Sequence, residues 1–359
     1  GLTIRDAGGL VQIGDVGSSN EGTVTITDSS AGVTFGANLD ATTLTITDSA
    51  ASQAITFADG QDVELATGMT VGAGTAAYNV VINSSSFDAA GDTTFNNTGT
   101  VTLGNGSGDS TTFTGGLDTT AAVGGTNLAG SVITTNTDVD LSAATLTADS
   151  TVKSGSGTID FTTATDGASS FTLTVGDGSQ TGLVTFSDNL TVNGLGTGSS
   201  AYNVVLQGSA SVVDTDTTFN NTGTVTLGNG SGDSTTFTGG LDTTAAASGT
   251  NLAGSVITTG TQMDLGAVTL TAATVLDTGN AAAGILNVGA VTSGNNALTL
   301  DSGSTTGATI GLTSMVAGQG GLTIRDAGGL VQIGDVGSSN EGTVTITDSS
   351  AGVTFGANL

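Results

Sequence analysis

The sequence predicts an all-β fold, specifically a parallel β-solenoid (β-helix) with coils of roughly 20–22 residues. Three observations carry this reading. Short segments alternate apolar and polar residues with period two, polar turns rich in Gly, Asn and Asp separate them, and equivalent positions recur at a near-constant spacing. An array of tandem β-sandwiches built from hairpins is the alternative, because Asn-Gly and Asp-Gly turns also close hairpins.

The alternation is clearest in Thr23-Val24-Thr25-Ile26-Thr27. In a strand, Val24 and Ile26 face one side and the three threonines face the other. The same pattern recurs at residues 43–47, 100–103, 145–147, 172–175, 224–227 and 269–271. Threonine suits such segments, since its branched Cβ fits a pleated surface. No apolar stripe at helical spacing competes. Residues 281–291 are the one Ala-rich stretch with helical character, and Gly284 and Gly289 argue against a helix there. Turns fall at Asn105-Gly106, Asp177-Gly178, Asn193-Gly194 and Asn229-Gly230. In a solenoid these become corners, where glycine takes a positive φ without strain.

Repeats appear at three scales. Residues 1–39 recur unchanged at 321–359. Residues 92–122 recur unchanged at 216–246, and the similarity extends over 78–148 and 202–272. The shortest scale relates residues 23–39, 43–61 and 172–190, each a strand, an Asp/Gly/Ser turn, a second strand ending in Phe, and another polar turn. First strands begin at Thr23 and Thr43, and the phenylalanines fall at Phe35 and Phe57. That spacing matches one coil, with the drift taken up in turns. The organisation expected is one solenoid unit over 1–320, carrying the internal repeat, followed by the start of the next identical unit over 321–359. About 15 coils at ~4.8 Å each would make that unit a rod of roughly 70 Å. A single coil cannot bury its apolar face alone, so coils must stack.

Composition narrows the function. The chain has 59 Gly and no Pro, Cys, His or Trp. Its only basic residues are Arg5, Lys153 and Arg325, against 31 acidic ones, for a net charge of -28. Three cations cannot neutralise a run of phosphates, which argues against nucleic acid. An anionic membrane surface would repel the chain, and no apolar run approaches the ~18 residues of a membrane span. Without Cys, no disulfide framework or thiolate metal site is available. Disorder is also disfavoured, because 36% of residues are hydrophobic and many are β-branched. The lack of Pro fits a chain whose backbone N–H groups belong to ladders. No signal peptide opens the sequence at Gly1, so any export signal is expected to lie outside these residues or to have been removed.

Candidate sites are few. Asp28, Asp48 and Asp177 follow the first strand of the short repeat. One coil apart, such carboxylates either splay into solvent, the simpler reading, or share a Ca²⁺, which favours oxygen ligands. Residues 104–113, repeated at 228–237, resemble one Gly/Asp nonapeptide of Ca²⁺-binding β-rolls but lack its tandem copies. Paired carboxylates also serve glycoside hydrolysis. Such sites need cations, His and aromatics around the acids, so no catalytic, cofactor-binding or metal residue is assigned and the chain is not read as an enzyme. Threonine ranks at Thr23, Thr25, Thr27 and Thr43, Thr45, Thr47 suggest an ice-binding face, against the plainer reading that Thr is a favourable outward strand residue. Phe35, Phe57, Phe113, Phe186 and Phe237 are expected to stack inside the coils; exposed, they would mark a contact between fibres. Asn83, Asn96, Asn105, Asn189, Asn220 and Asn229 open Asn-x-Ser/Thr sequons, which chance also supplies in so Thr-rich a chain.

Strings such as GTVTLGNGSGDSTTFTGGLDTT and LTITDSSAGVTFGANLDATTLTI resemble the long bacterial surface proteins of the filamentous-haemagglutinin and large-autotransporter type. The likeness covers nearly the whole chain and is one of pattern and composition. It implies a right-handed parallel β-helix, secretion to the cell surface, and a role as stalk, adhesin, sheath or filament. The expected partners are other copies of the chain, end to end, and then neighbouring fibres or surface glycans. No cofactor beyond a bridging Ca²⁺ is expected.

Overall fold

Strands that alternate in sequence stack in parallel, coil upon coil. The computed structural model describes residues 1–17, 19, 22–317, 320–337 and 342–356, and these contain 38 strands and no helix. They form two compact units, Gly1–Val184 and Thr185–Leu359.

In the first unit the strands build three parallel ladders. The first runs in register through Leu2, Val24, Leu44 and Met69, and further along through Leu117, Val139 and Ile159. The second joins Val11, Val33 and Ile55, then Val80, Val101, Thr126 and Ala144. The third joins Leu39, Val63, Phe87, Thr111, Val132, Val152 and Val175. Parallel neighbours one coil apart are the mark of a solenoid. Hairpin-built sandwiches would pair sequential strands antiparallel, so that alternative does not hold.

The second unit repeats the scheme. One ladder passes through Val204, Val225, Thr250 and Val268. Another passes through Thr235, Val256, Leu276, Leu300, Ile324 and Ile346. The third joins Leu241, Met263, Leu286, Ile310, Val331 and Val353. The Ala-rich stretch holds no helix: residues 281–285 form a turn, and the strand Leu286–Gly294 that follows is part of two ladders.

Coil length varies more than the expected 20–22. Thr126 stacks on Ala144, a step of 18, whereas Leu44 stacks on Met69, a step of 25. The strands keep their register and the corners absorb the difference. Several corners are bulges inside one continuous strand: Leu39–Ile46 serves the third ladder, shifts register between Ala41 and Thr43, and then serves the first.

Inward positions are sealed. Val24, Ile26, Leu44, Ile46, Val80 and Ile82 have no exposed surface. Burying each such side chain contributes about 1.5–3 kcal/mol. The phenylalanines stack inside as expected, with Phe35, Phe57, Phe113, Phe186 and Phe237 at most 1% exposed. Phe35 and Phe57 stack 5.0 Å apart with nearly parallel rings, and Phe57 meets Phe87 edge-on at 5.6 Å.

At one corner glycine is required. Gly130 has φ 72°, and its counterpart 124 residues on, Gly254, has φ 76°. A Cβ on Gly130 would lie 2.3 Å from the carbonyl oxygen of Asp109. Gly130→Ala combines left-handed strain with that clash and is expected to cost about 2 kcal/mol, read as a fall in the urea midpoint. An unchanged midpoint would mean the corner relaxes freely.

Candidate functional site

With inward positions filled by packing, any chemistry lies on the outward faces. Strand geometry there places one side chain per coil above the next, so like residues form in-register columns. The outward column of the first ladder begins as threonine, with Thr3, Thr25, Thr45 and Thr70 in line. The flanking positions break the rank: Thr27 and Thr47 have Arg5 and Gly72 in the corresponding places.

Further along, the column turns acidic. Asp118 pairs with Asp140, and Asp140 with Asp160. Burial raises the Asp140 carboxyl above its usual value, and the charges of Asp160, Asp118 and Asp138 raise it further. The internal repeat supplies a control. In the second unit Asp264 takes the place of Asp140 and Gln262 that of Asp138, while the next coil presents Asn287 instead of an aspartate. Gln262 Nε2 donates to Asp264 Oδ2 at 2.7 Å, and Asn287 Nδ2 donates to Asp264 Oδ1 at 2.7 Å. Both units keep one like-charged step, Asp118 on Asp140 and Asp242 on Asp264, but on the next coil the first unit adds Asp160 where the second satisfies the carboxylate with amides.

A raised folded-state pKa means that the folded state binds the proton more tightly, so the penalty is present at neutral pH and disappears as pH falls through that pKa. Asp140→Asn is therefore expected to stabilise the first unit at pH 7 and to flatten its response to acid, by less than about 1 kcal/mol for so solvated a group. Asp264→Asn should not stabilise, because it replaces an acceptor of two amide donors. Equal responses of the two variants in urea melts would contradict the column reading.

The remaining candidate carboxylates hold corners. Asp48 accepts Ser49 N at 2.8 Å, Thr75 N at 2.9 Å and Thr75 Oγ1 at 2.7 Å. Asp28 follows the equivalent strand one coil earlier, but Asp177 does not share their corner. It follows Thr172–Val175, a third-ladder strand, whereas Asp28 and Asp48 follow first-ladder strands. The strand-turn-strand motif recurs at different corners because each coil contains three strands. Asp177 caps Ser179, with N at 2.8 Å and Oγ at 2.6 Å, and lies 3.4 Å from Lys153 Nζ. Those Ser179 bonds, with Lys153 adding to them, lower its pKa.

In residues 104–113 Asp109 Oδ2 accepts Asn105 N at 2.7 Å and Gly106 N at 2.9 Å, and Asp233 repeats this on Asn229 and Gly230. The motif is thus a self-capped turn. Among the described residues no group of three or more His, Cys, Asp or Glu is placed to hold a metal ion. Of the sequon asparagines, Asn105 and Asn229 stand exposed at this turn, whereas the amide nitrogens of Asn96 and Asn220 donate to the backbone at Val71 and Thr197.

One cation bridges two coils. Arg325 Nη2 lies 3.0 Å from Asp277 Oδ2, and its Nε donates to Asp301 Oδ2. Asp277 and Asp301 are in-register partners one coil apart. Neither the acidic column nor this clamp was assigned from sequence. The acidic column had a signal in the triplets Leu117-Asp118-Thr119, Val139-Asp140-Leu141 and Ile159-Asp160-Phe161, which align once a coil is allowed to vary in length.

Three parallel ladders, a sealed apolar interior and side-chain columns on the outside define a β-solenoid repeat protein. Searches of protein-family models, curated proteins and solved structures found no match to the chain.

Proposed function

We propose that the chain is a non-enzymatic, extracellular structural protein whose solenoid units add end to end into a stiff fibre, filament or sheath. The observation that carries this is the register of the repeated segment. Leu322 stacks on Val344 and Val331 on Val353, as Leu2 stacks on Val24 and Val11 on Val33. The second copy also follows directly on the coil before it, with Leu298 paired to Leu322 and Ile310 to Val331. A new unit therefore begins as further coils of the same solenoid, and continuous ladders resist bending along their axis. The net charge of -28 keeps neighbouring fibres apart.

The same continuity favours a second reading, the stalk of a giant bacterial adhesin of the haemagglutinin or autotransporter type, in which the units are joined covalently. Electron microscopy of the chain, alone and with Ca²⁺, separates the two. Long fibres of uniform width support self-assembly, whereas short rods at every concentration support the stalk. Outward acidic columns such as Asp40, Glu64 and Asp88 are in register and would let divalent cations bundle fibres. Light scattering that does not change on adding Ca²⁺ would remove that part of the proposal.

A further inference from the structure

Residues 1–39 and 321–359 are one sequence in two settings. In the later copy Leu322, Ile324, Val331 and Ile333 are at most 1% exposed, because the coil of Leu298–Asp301 and Ile310–Ala317 lies against them. In the earlier copy Leu2, Val11 and Ile13 are half-exposed. The cation differs in the same way. Arg325 clamps Asp277 and Asp301, whereas Arg5 is exposed with no carboxylate partner among the described residues. Two of the chain's three basic residues are thus this one repeat position.

We propose that the edge formed by Leu2, Ile4, Arg5, Val11 and Ile13 docks on the 298–317 coil of a second copy, with Arg5 clamping that copy's Asp277 and Asp301, and that residues 321–356 are the resident competitor for the same coil. This rests on the self-assembly reading above and specifies its junction. The identical sequence lets residues 1–16 reproduce each contact that residues 321–336 make. What an exchange loses is the pairing of Leu322–Asp326 with Val344–Ile346 and of Val331–Val336 with Val353–Phe355, so an intact chain keeps its own cap. Once the cap is loosened, each copy offers one coil and one edge at opposite ends of its sequence. Such a contact is heterologous, so copies add to one another head to tail.

Charge reversal tests this in the full chain. Arg325→Glu replaces the clamping cation with another carboxylate beside Asp277, Asp301 and Asp326 and should release the cap, seen as faster amide exchange over residues 321–337. Sedimentation should then show oligomers that grow with concentration. Adding Arg5→Glu should weaken that assembly about tenfold or more. Since the chain has no Cys, Thr3→Cys and Thr299→Cys placed in separate Arg325→Glu copies should form a disulfide-linked dimer, because Thr299 pairs in register with Thr323, the counterpart of Thr3. If the cap stays protected in Arg325→Glu, Leu322→Asp with Ile324→Asp opens it instead. A released cap without oligomers, or oligomers indifferent to Arg5→Glu, overturns the proposal. Wild-type fibres that persist in Arg5→Glu would overturn this junction and leave the fibre reading intact. Arg5-dependent oligomers of the released variants, with no wild-type fibres, would support the junction and overturn self-assembly of the intact chain.

Discussion

Phe57→Ala is expected to lower the stability of the first unit by about 3–5 kcal/mol. Phe57 has no exposed surface and is held between two other rings, stacked on Phe35 at 5.0 Å and edge-on to Phe87 at 5.6 Å. Truncation removes the transfer free energy of the ring and leaves a cavity that the rigid ladders on three sides cannot close. Aromatic pairing adds about 0.5–1.5 kcal/mol per contact. The loss should concentrate near its own coils, since a solenoid couples chiefly nearest neighbours. Urea unfolding read by amide exchange should therefore show weakened protection over the strands Val33–Phe35, Ala54–Phe57 and Asn79–Ile82 before the second unit responds. A stability loss of less than about 1 kcal/mol would mean that the column is not the packed core described. The second unit has a smaller aromatic contact, Phe219 with Phe237 at 6.0 Å, so Phe219→Ala is the matched comparison.

The interior was legible because alternation is local. Val24 and Ile26 must share a face whatever the fold, and repetition of that pattern at nearly equal steps leaves stacking as the way to bury it. What alternation does not encode is the path between strands. A step of 18 at Thr126 and 25 at Leu44 produces the same register, because bulges and positive-φ glycines take up the difference. Register decides which outward side chains become neighbours, and so the acidic column and the Arg325 clamp could not be read from a constant period. The same cause misplaced Asp177, which looked equivalent to Asp28 in sequence and sits at another corner. Gln180 was hidden for a different reason. It lies in the polar string Gly176-Asp177-Gly178-Ser179-Gln180, which reads as solvent-facing turn, yet it has no exposed surface.

Gln180→Leu is expected to cost about 3–5 kcal/mol, close to the loss of a core ring, although it removes no apolar packing. The Gln180 amide closes a corner from inside: Oε1 accepts Ser154 N at 3.0 Å, and Nε2 reaches Ser154 Oγ at 2.9 Å, Gly157 O at 3.1 Å and Gly182 O at 3.2 Å. Leucine has similar bulk and none of these groups. It would orphan the buried Ser154 N–H and strip the amide from Ser154 Oγ and the half-buried Gly182 O, while Gly157 O keeps Ser154 Oγ as a donor; each orphaned group costs about 1–3 kcal/mol. Gln180→Glu separates polarity from size. It keeps acceptors for Ser154 but loses the donors and places a charge where water does not reach, so burial should raise its pKa. Its folded state then binds the proton more tightly than the unfolded state, and stability should recover as pH falls through that raised value. The glutamine is thus expected to outperform both replacements at pH 7, with the Glu variant improving in acid and the Leu variant unaffected by pH. Parallel pH profiles for the two variants would show that the corner opens to water and that the amide is not what closes it.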